Sequence, residues 1–177
     1  MKLRMPAYPL ITVDPYFSIW SFGDTLNGSN TVHWTGKENR LIGAVSVENE
    51  NYCFMGTAKD AVAAEQISAD CTALSTVYKF ACGKAVLTAK FTSPLLIDDL
   101  SILSRHVSLL EISVSGVESA VVTVKACEEL CLDHAGQCGA VKAEFYLVVT
   151  MQITLIWVYA ANTIQNQKSS KTQSVLA

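Results

Sequence analysis

Short segments in which apolar and polar residues alternate run through the first two-thirds of the chain. Residues 72–81 place Leu74, Tyr78 and Phe80 on one face, and residues 84–92 repeat the alternation after a short turn at Gly83. A period of two residues is that of a half-buried β-strand. Two such segments around a glycine turn therefore predict a β-hairpin.

Further strand pairs are indicated on either side of this hairpin. Residues 45–47 and 52–54 flank the polar stretch Glu48–Asn51, which predicts a hairpin with a four-residue loop. Residues 106–115 and 120–126 predict another pair around a glycine. Two-faced strands at such short spacing predict a mainly β fold, an antiparallel β-sandwich with few or no helices.

Two segments depart from this alternation. Residues 60–69 are rich in alanine and predict a short helix or an irregular crossover. Residues 145–161 carry no charge, and residues 162–177 then become polar. Three interpretations of the apolar run stay open: one or two buried strands, a membrane anchor, or a tail that is not native continuation. A spanning helix needs about 20 apolar residues, so membrane association is the less favoured of these.

Composition allows a folded core and argues against some partners. The chain has 177 residues, of which 50% are hydrophobic and 16% charged, so global disorder is excluded. Its length suits one domain, or one domain with a tail. The net charge is −3 and the 13 Lys and Arg residues form no basic run, so no nucleic-acid partner is expected.

The N-terminus and the cysteines indicate the compartment. Pro6, Pro9 and Asp14 interrupt the first apolar residues, so no secretory signal is predicted. We therefore expect a cytoplasmic protein with reduced thiols; in a secreted chain the same count would suggest three disulfides. The six cysteines are Cys53, Cys71, Cys82, Cys127, Cys131 and Cys138.

Two aromatic motifs offer the strongest candidate binding residues. Asp14 precedes a proline, which favours a turn into an extended segment, and Trp20 follows in that segment. A carboxylate beside an aromatic wall suits a polar ligand, although a turn and a core strand explain the same pattern. His33 and Trp34 form the second motif. His33 could titrate near neutral pH or be an ordinary structural histidine.

Other clusters carry weaker signals. Cys127, Cys131, His134 and Cys138 would share one helical face and could hold zinc, but the pattern lacks a close CxxC pair. Adjacent carboxylates such as those at 98 and 99 generally point apart and make poor acid–base pairs. Phosphate-binding glycine loops and HExxH are absent from the sequence. We therefore expect neither cofactor nor metal.

The order and spacing of several motifs together resemble those of a known family. The motifs are PLITVDPYFSIWS at 9–21, TVHWTG at 31–36, YCFMG at 52–56, FTSPLL at 91–96, DDL at 98–100 and LSR at 103–105. Over roughly residues 6 to 144 the chain resembles the opening of the glutaminase A family.

The resemblance implies a division of the chain. Residues 1–40 correspond to the family's N-terminal module, residues 41–144 to part of its β-sandwich module, and residues 145–177 to a divergent tail. Family members are much longer, and an α-helical toroid that follows is expected to carry the groups that hydrolyse L-glutamine to L-glutamate and ammonia. No helical repeat for a toroid is found in this sequence. We therefore expect a truncated or frame-shifted product that is inactive alone.

In the family context, the missing toroid is the expected partner. Asp14, Trp20, His33 and Trp34 would then shape the substrate cleft or form the contact with that module. A rival interpretation is a stand-alone β-sandwich that binds carbohydrate or another small ligand. Open sheet edges would also permit self-association.

Overall fold

The computed structural model of the protein describes residues 5–105, 107–130, 143–150 and 155–160. These residues form mainly β-strands, as the sequence predicts. The strands are β1 Tyr8–Thr12, β2 Ser18–Ser21, β3 Val32–His33, β4 Leu41–Val47, β5 Glu50–Met55, β6 Val62–Ala63, β7 Glu65–Cys71, β8 Ser75–Cys82, β9 Ala85–Thr92, β10 Val107–Ser115, β11 Ser119–Ala126, β12 Ala143–Thr150 and β13 Leu155–Ala160. A short helix α1 spans Leu100–Leu103, and a 3-10 turn spans Glu128–Leu130.

Three sheets organise these strands. A small N-terminal sheet has the order β1-β2-β3, and two five-stranded sheets have the orders β13-β10-β9-β8-β7 and β12-β11-β4-β5-β6. Among the described strands, every pairing is antiparallel except that of β5 with β6. We call the two large sheets the β8 sheet and the β4 sheet.

The two large sheets bury their facing side chains in one core. Phe54 of the β4 sheet and Phe80 of the β8 sheet are both fully buried, and their ring centroids lie 6.1 Å apart. Tyr8 of the small sheet packs edge-on against Tyr78 of β8, with a centroid distance of 5.9 Å. The antiparallel β-sandwich predicted from the sequence is therefore confirmed, and the N-terminal sheet contributes to the same core.

The β8–β9 hairpin is confirmed in its pairing and in most of its two faces. Leu74, predicted on the face of Tyr78 and Phe80, precedes β8 and is exposed, so that assignment is wrong. Phe80 lies opposite Leu87, and both are fully buried, whereas Lys79 is exposed. The chain turns at Gly83, where φ is +61°. That region of φ is costly for residues with a Cβ, which explains glycine at this turn.

The predicted pairing of residues 106–115 with residues 120–126 is wrong. β10 pairs with β9 and β13, whereas β11 pairs with β4 and β12, so the two strands lie in different sheets. The chain crosses from one sheet to the other at Gly116, where φ is +90°. Alternation identifies a strand but does not say which neighbour it pairs with.

The hairpin between β4 and β5 has a shorter loop than predicted. Val47 pairs with Glu50, so only Glu48 and Asn49 form the turn. Both have positive φ, at 49° and 68°, which is the geometry of a type I′ turn. Polar residues at 50 and 51 resemble a loop in sequence, but they belong to the exposed start of β5.

The alanine-rich segment 60–69 is not a helix. It contains β6 and most of β7, two strands that belong to opposite sheets. The helix interpretation is therefore wrong, and the segment is the crossover between the β4 sheet and the β8 sheet.

The last two described strands, β12 and β13, lie largely within the apolar run. β12 pairs along the whole of β11, and β13 pairs with β10. This finding corresponds to the strand interpretation of that run; residues 151–154 and 161–177 of the predicted tail lie outside the described residues. Among the residues described, no helix is long and apolar enough to cross a bilayer.

Candidate functional site

The Asp14 carboxylate organises the turn between β1 and β2. Its Oδ1 atom accepts hydrogen bonds from the backbone N–H groups of Tyr16, at 2.7 Å, and Phe17, at 3.0 Å. An aspartate that bonds to the backbone two and three residues ahead fixes a turn without help from the rest of the fold. The turn buries Phe17 in the core and leaves Tyr16 92% exposed.

A second turn follows β3 and faces the first. The backbone N–H of Gly36 donates to the His33 carbonyl at 2.8 Å, and the N–H of His33 donates to the Lys37 carbonyl at 2.7 Å. Gly36 has a φ of +89°, which closes the turn. Trp34 consequently projects from the turn and is 55% exposed.

The two turns meet at a single carbonyl oxygen. Pro15 O accepts from Trp34 Nε1 at 2.8 Å and pairs with His33 Nε2 at 3.0 Å. The His33 and Trp34 rings lie with their centroids 5.5 Å apart. We refer to residues 14–17 and 33–36 together as the Pro15 corner.

The hydrogen bonds of His33 define which nitrogen carries its proton. A carbonyl oxygen only accepts, so Nε2 carries hydrogen and donates to Pro15. The backbone N–H of Thr35 donates to Nδ1 at 3.3 Å, so Nδ1 presents its lone pair. The Thr35 hydroxyl also lies 2.8 Å from Nδ1. Both ring nitrogens of His33 are therefore engaged within the corner.

Trp20 lies on the strand beside the corner. It is half-buried on β2, opposite Val32 of β3, and its Nε1 donates to the Ser18 hydroxyl at 2.8 Å. The structure thus brings Asp14, His33 and Trp34 together at Pro15, and Trp20 makes its own hydrogen bond along β2. Whether these four residues contact a ligand stays a prediction.

Sequence reasoning did not single out Tyr16. The signal was present, because Tyr16 is an aromatic residue in a predicted turn, and turns run over the protein surface. The residue's exposure makes it the most accessible aromatic side chain of the corner.

Two of the described cysteines are buried thiols. Cys53 and Cys82 are buried, and neither they nor the half-buried Cys71 forms a disulfide. Burial raises the pKa of the Cys53 thiol and raises that of Cys82 to about 11. Thiols of this kind are poor nucleophiles and poor metal ligands near neutral pH.

No metal site is found in the described part of the chain, where no three His, Cys, Asp or Glu side chains gather. Of the zinc candidates, Cys131, His134 and Cys138 lie outside the described residues.

The carboxylate of Asp99 caps helix α1. It accepts hydrogen bonds from the N–H groups of Ser101, at 3.0 Å, and Ile102, at 3.2 Å. Hydrogen bonds from the Ser101 side chain and these N–H groups lower the pKa of Asp99, which therefore stays ionised.

Comparison with known proteins agrees with the motifs. Residues 1–67 match the family described as "Domain of unknown function (DUF4964)". Over 140 residues the chain is 28% identical to Glutaminase A of Aspergillus oryzae (strain ATCC 42149 / RIB 40), a match that covers 75% of this chain and 20% of that protein. The chain thus spans about a fifth of the length of this relative. No solved structure matches the chain. The resemblance to the N-terminal region of the glutaminase A family, first indicated by the motifs, is therefore confirmed.

Proposed function

We propose that the chain is the non-catalytic N-terminal β region of a glutaminase-A-like amidohydrolase. Such an enzyme would hydrolyse L-glutamine to L-glutamate and ammonia. The proposal is supported by the similarity to Glutaminase A over three quarters of the chain. The resemblance assigns the reacting groups to an α-helical toroid, which is therefore the partner we propose.

The geometry of His33 is the observation that supports a non-catalytic role. A general base needs a lone pair within reach of the substrate. The Nδ1 lone pair of His33 already accepts from Thr35, and its Nε2–H donates to Pro15. The Asp14 oxygen Oδ1 is likewise bonded to two backbone N–H groups of its own turn. These groups fix the backbone, and this is the role we propose for them.

The same corner supplies a surface for the partner. Asp14 shapes the first turn, and His33 joins it to the second. Tyr16 and Trp34 project from the corner with 92% and 55% of their surface exposed. Large aromatic side chains on a rigid turn lose little conformational entropy on contact. We propose that the Pro15 corner meets the catalytic module beside its cleft, with Trp20 supporting the corner from β2.

Two further statements belong to the same proposal. The enzyme would work in the cytoplasm, and this chain would be a truncated or frame-shifted product. The second statement is motivated by the loss of motif resemblance after Glu144. Translation of the coding DNA beyond codon 144 in the other two frames tests it. A frameshift is supported if one of these frames encodes the rest of the sandwich followed by a toroid. It is contradicted if neither frame does.

The experiment for the main proposal uses the A. oryzae relative. Its matched segment is replaced by residues of this chain, and glutamine hydrolysis is measured for the chimera and for the 177-residue chain alone. We expect ammonia release from the chimera and none from the chain. Turnover by the chain alone would show that it is catalytic. A folded chimera without turnover would show that this β region does not serve a glutaminase.

A second candidate function is a stand-alone module that binds carbohydrate or another small ligand. The exposure of Tyr16 and Trp34 on one corner favours it, because glycan sites use exposed aromatic rings. Titration of the isolated chain with sugars and with L-glutamine discriminates the two. Saturable sugar binding that disappears in Tyr16→Ala would support this alternative.

Self-association through the edge strand β7 is a separate possibility in the same proposal. It would appear as a molecular mass that rises with protein concentration in sedimentation.

A further inference from the structure

The outer face of the β4 sheet carries a groove that the proposed function does not use. Its floor is made by short, outward-facing side chains of adjacent strands, among them Ala44 and Ser46 of β4 and Thr123 of β11. The segment 57–61 rises beside this floor as a wall. The groove has a volume of about 560 Å³, within the range of small-molecule sites.

The wall is held in place at both ends. Gly56 begins it with a φ of +68°, and a Cβ at this position would lie 2.4 Å from the Leu41 carbonyl oxygen. Thr57 donates from its hydroxyl to Asn30 Oδ1 at 2.7 Å. At the far end, Asn27 Nδ2 donates to the carbonyls of Cys53 and Ala64, each at 2.8 Å. The groove is therefore preformed and does not need a ligand to shape it.

The charges around the groove have one predominant sign. Arg40, Lys59 and Lys125 line it, with Asp60 as the one carboxylate among the described lining residues. This local excess of positive charge occurs in a chain whose net charge is −3. Arg40 is bonded to Glu129, and Lys125 also interacts within the protein. A guanidinium carries five N–H groups and an ammonium three, so one partner does not use all the donors of either group.

The remaining chemistry of the lining narrows the class of ligand. Asn51, Thr57 and Thr123 add neutral hydrogen-bonding groups. No aromatic ring occurs among the described residues that line the groove, so it offers no stacking platform for a sugar or a nucleobase. Asp60 disfavours a multiply charged phosphate and could accept from an ammonium group. A singly charged carboxylate with further polar groups fits this combination best.

We propose that this groove is a binding site for a small ligand that carries a carboxylate, held by the cationic side chains of Lys59, Arg40 and Lys125. A free amino acid satisfies the whole lining, because Asp60 can receive its ammonium group. The acidic end of a peptide presents the same carboxylate chemistry. The site does not depend on the glutaminase proposal, since it rests only on the β4 sheet and its wall.

Calorimetric titration of the 177-residue chain tests the site. The probes are L-glutamate, L-glutamine, succinate, inorganic phosphate and a short acidic peptide. We expect saturable binding of the carboxylate probes and weaker or no binding of phosphate. Comparing the affinity for the amino acids with that for the acidic peptide shows which of the two sources of the carboxylate the groove prefers. Absence of saturable binding by every carboxylate probe, or a preference for phosphate, would overturn the proposal.

Variants locate the binding in the groove. Lys59→Gln removes one cation and should weaken binding about tenfold or more, since a hydrogen bond to a charged group contributes about 1.5–3 kcal/mol. Lys84→Gln makes the same charge change on an exposed lysine that bonds to Glu48 and should have no effect. Equal effects of the two variants would show that binding is nonspecific.

A steric variant provides an independent check. Ala44→Tyr places a large side chain on the groove floor without changing charge, and it should abolish binding. Thr88→Tyr makes a comparable change on an outward position of β9, in the other large sheet, and should leave binding intact. Circular dichroism confirms that each variant is folded. Undiminished binding by folded Ala44→Tyr would place the ligand elsewhere and overturn the proposal.

Discussion

His33 Nε2 lies 3.0 Å from the carbonyl oxygen of Pro15, which is 18 residues earlier in the chain. This hydrogen bond joins the turn before β2 to the turn after β3. The same oxygen accepts from Trp34 Nε1, so two adjacent side chains anchor one turn to the other. The sequence marks His33 as a candidate ligand-binding residue. In the structure its side chain connects the turn after β3 to the backbone of the turn before β2.

Removal of the His33 side chain should destabilise the fold. His33→Ala loses the bonds to Pro15 and Thr35 and should lower the free energy of unfolding by about 1–2 kcal/mol. Trp34→Phe loses one bond and should cost about half as much. Urea unfolding at constant m-value measures both changes. Unchanged midpoints for the two variants would show that the corner contributes nothing to stability.

Two glycines of positive φ should respond differently to alanine. Gly56→Ala meets both an unfavourable φ and the Leu41 carbonyl 2.4 Å from the new Cβ, so it should cost more than about 3 kcal/mol or prevent folding. Gly36→Ala has a φ of +89° but no atom within 4 Å, so it should cost only about 1 kcal/mol. Thermal or urea unfolding of the pair measures the difference. Equal losses would contradict the close approach at Gly56.

Stability should fall above pH 9 because of the buried thiols. Cys82 has a pKa of about 11 in the folded state and 9.0 as its ordinary value. Between these values the unfolded chain has lost the proton and the folded chain retains it, so rising pH favours unfolding. Cys82 alone should account for about 2–3 kcal/mol between pH 9 and 11. Burial also raises the pKa of Cys53 and Tyr78, which act in the same direction.

The free energy of unfolding of Cys82→Ala, measured across this pH range, checks whether Cys82 causes the alkaline loss of stability. The variant should be somewhat less stable at neutral pH because it leaves a small cavity. Its stability should nevertheless decline less steeply than that of the wild type above pH 9. An identical decline in both proteins would exclude Cys82 as a source of the alkaline effect.

The turn between β4 and β5 should accept a more favourable sequence. Glu48→Asn combined with Asn49→Gly supplies residues that tolerate the positive φ at both positions and should stabilise the fold by about 0.5–1 kcal/mol. The exposed contact of Lys84 with Glu48 is lost, but such ion pairs contribute little. Lys84→Gln is the control for that loss. Destabilisation by the double variant, with no effect of the control, would contradict a type I′ turn.

Local alternation was sufficient to predict the β class and the β8–β9 hairpin. The buried faces there repeat every second residue, so Phe80 and Leu87 are both assigned correctly. Pairing across distance was not predictable in the same way. Residues 107–115 and 119–126 have equally clear alternation, yet they enter different sheets because the chain crosses the sandwich at Gly116.

The candidate site shows a similar limit. The Asp-Pro step correctly predicts a turn, because both residues act on their own neighbourhood. The contact between Pro15 and His33 depends on how β2 lies beside β3, which no local pattern specifies. The groove on the β4 sheet escaped sequence analysis for the same reason. Lys59 and Lys125 are 66 positions apart and meet only through the fold.

Measuring both turnover and stability of a His33→Ala chimera decides whether the Pro15 corner has a structural or a catalytic role. The variant is made in the A. oryzae glutaminase chimera that carries this chain, and kcat/KM for L-glutamine is measured beside the melting temperature. We expect a lower melting temperature with kcat/KM per folded enzyme nearly unchanged, because the His33 ring bonds to the Pro15 carbonyl and to Thr35. A loss of turnover of about 100-fold or more at an unchanged melting temperature would contradict this and place His33 at the substrate.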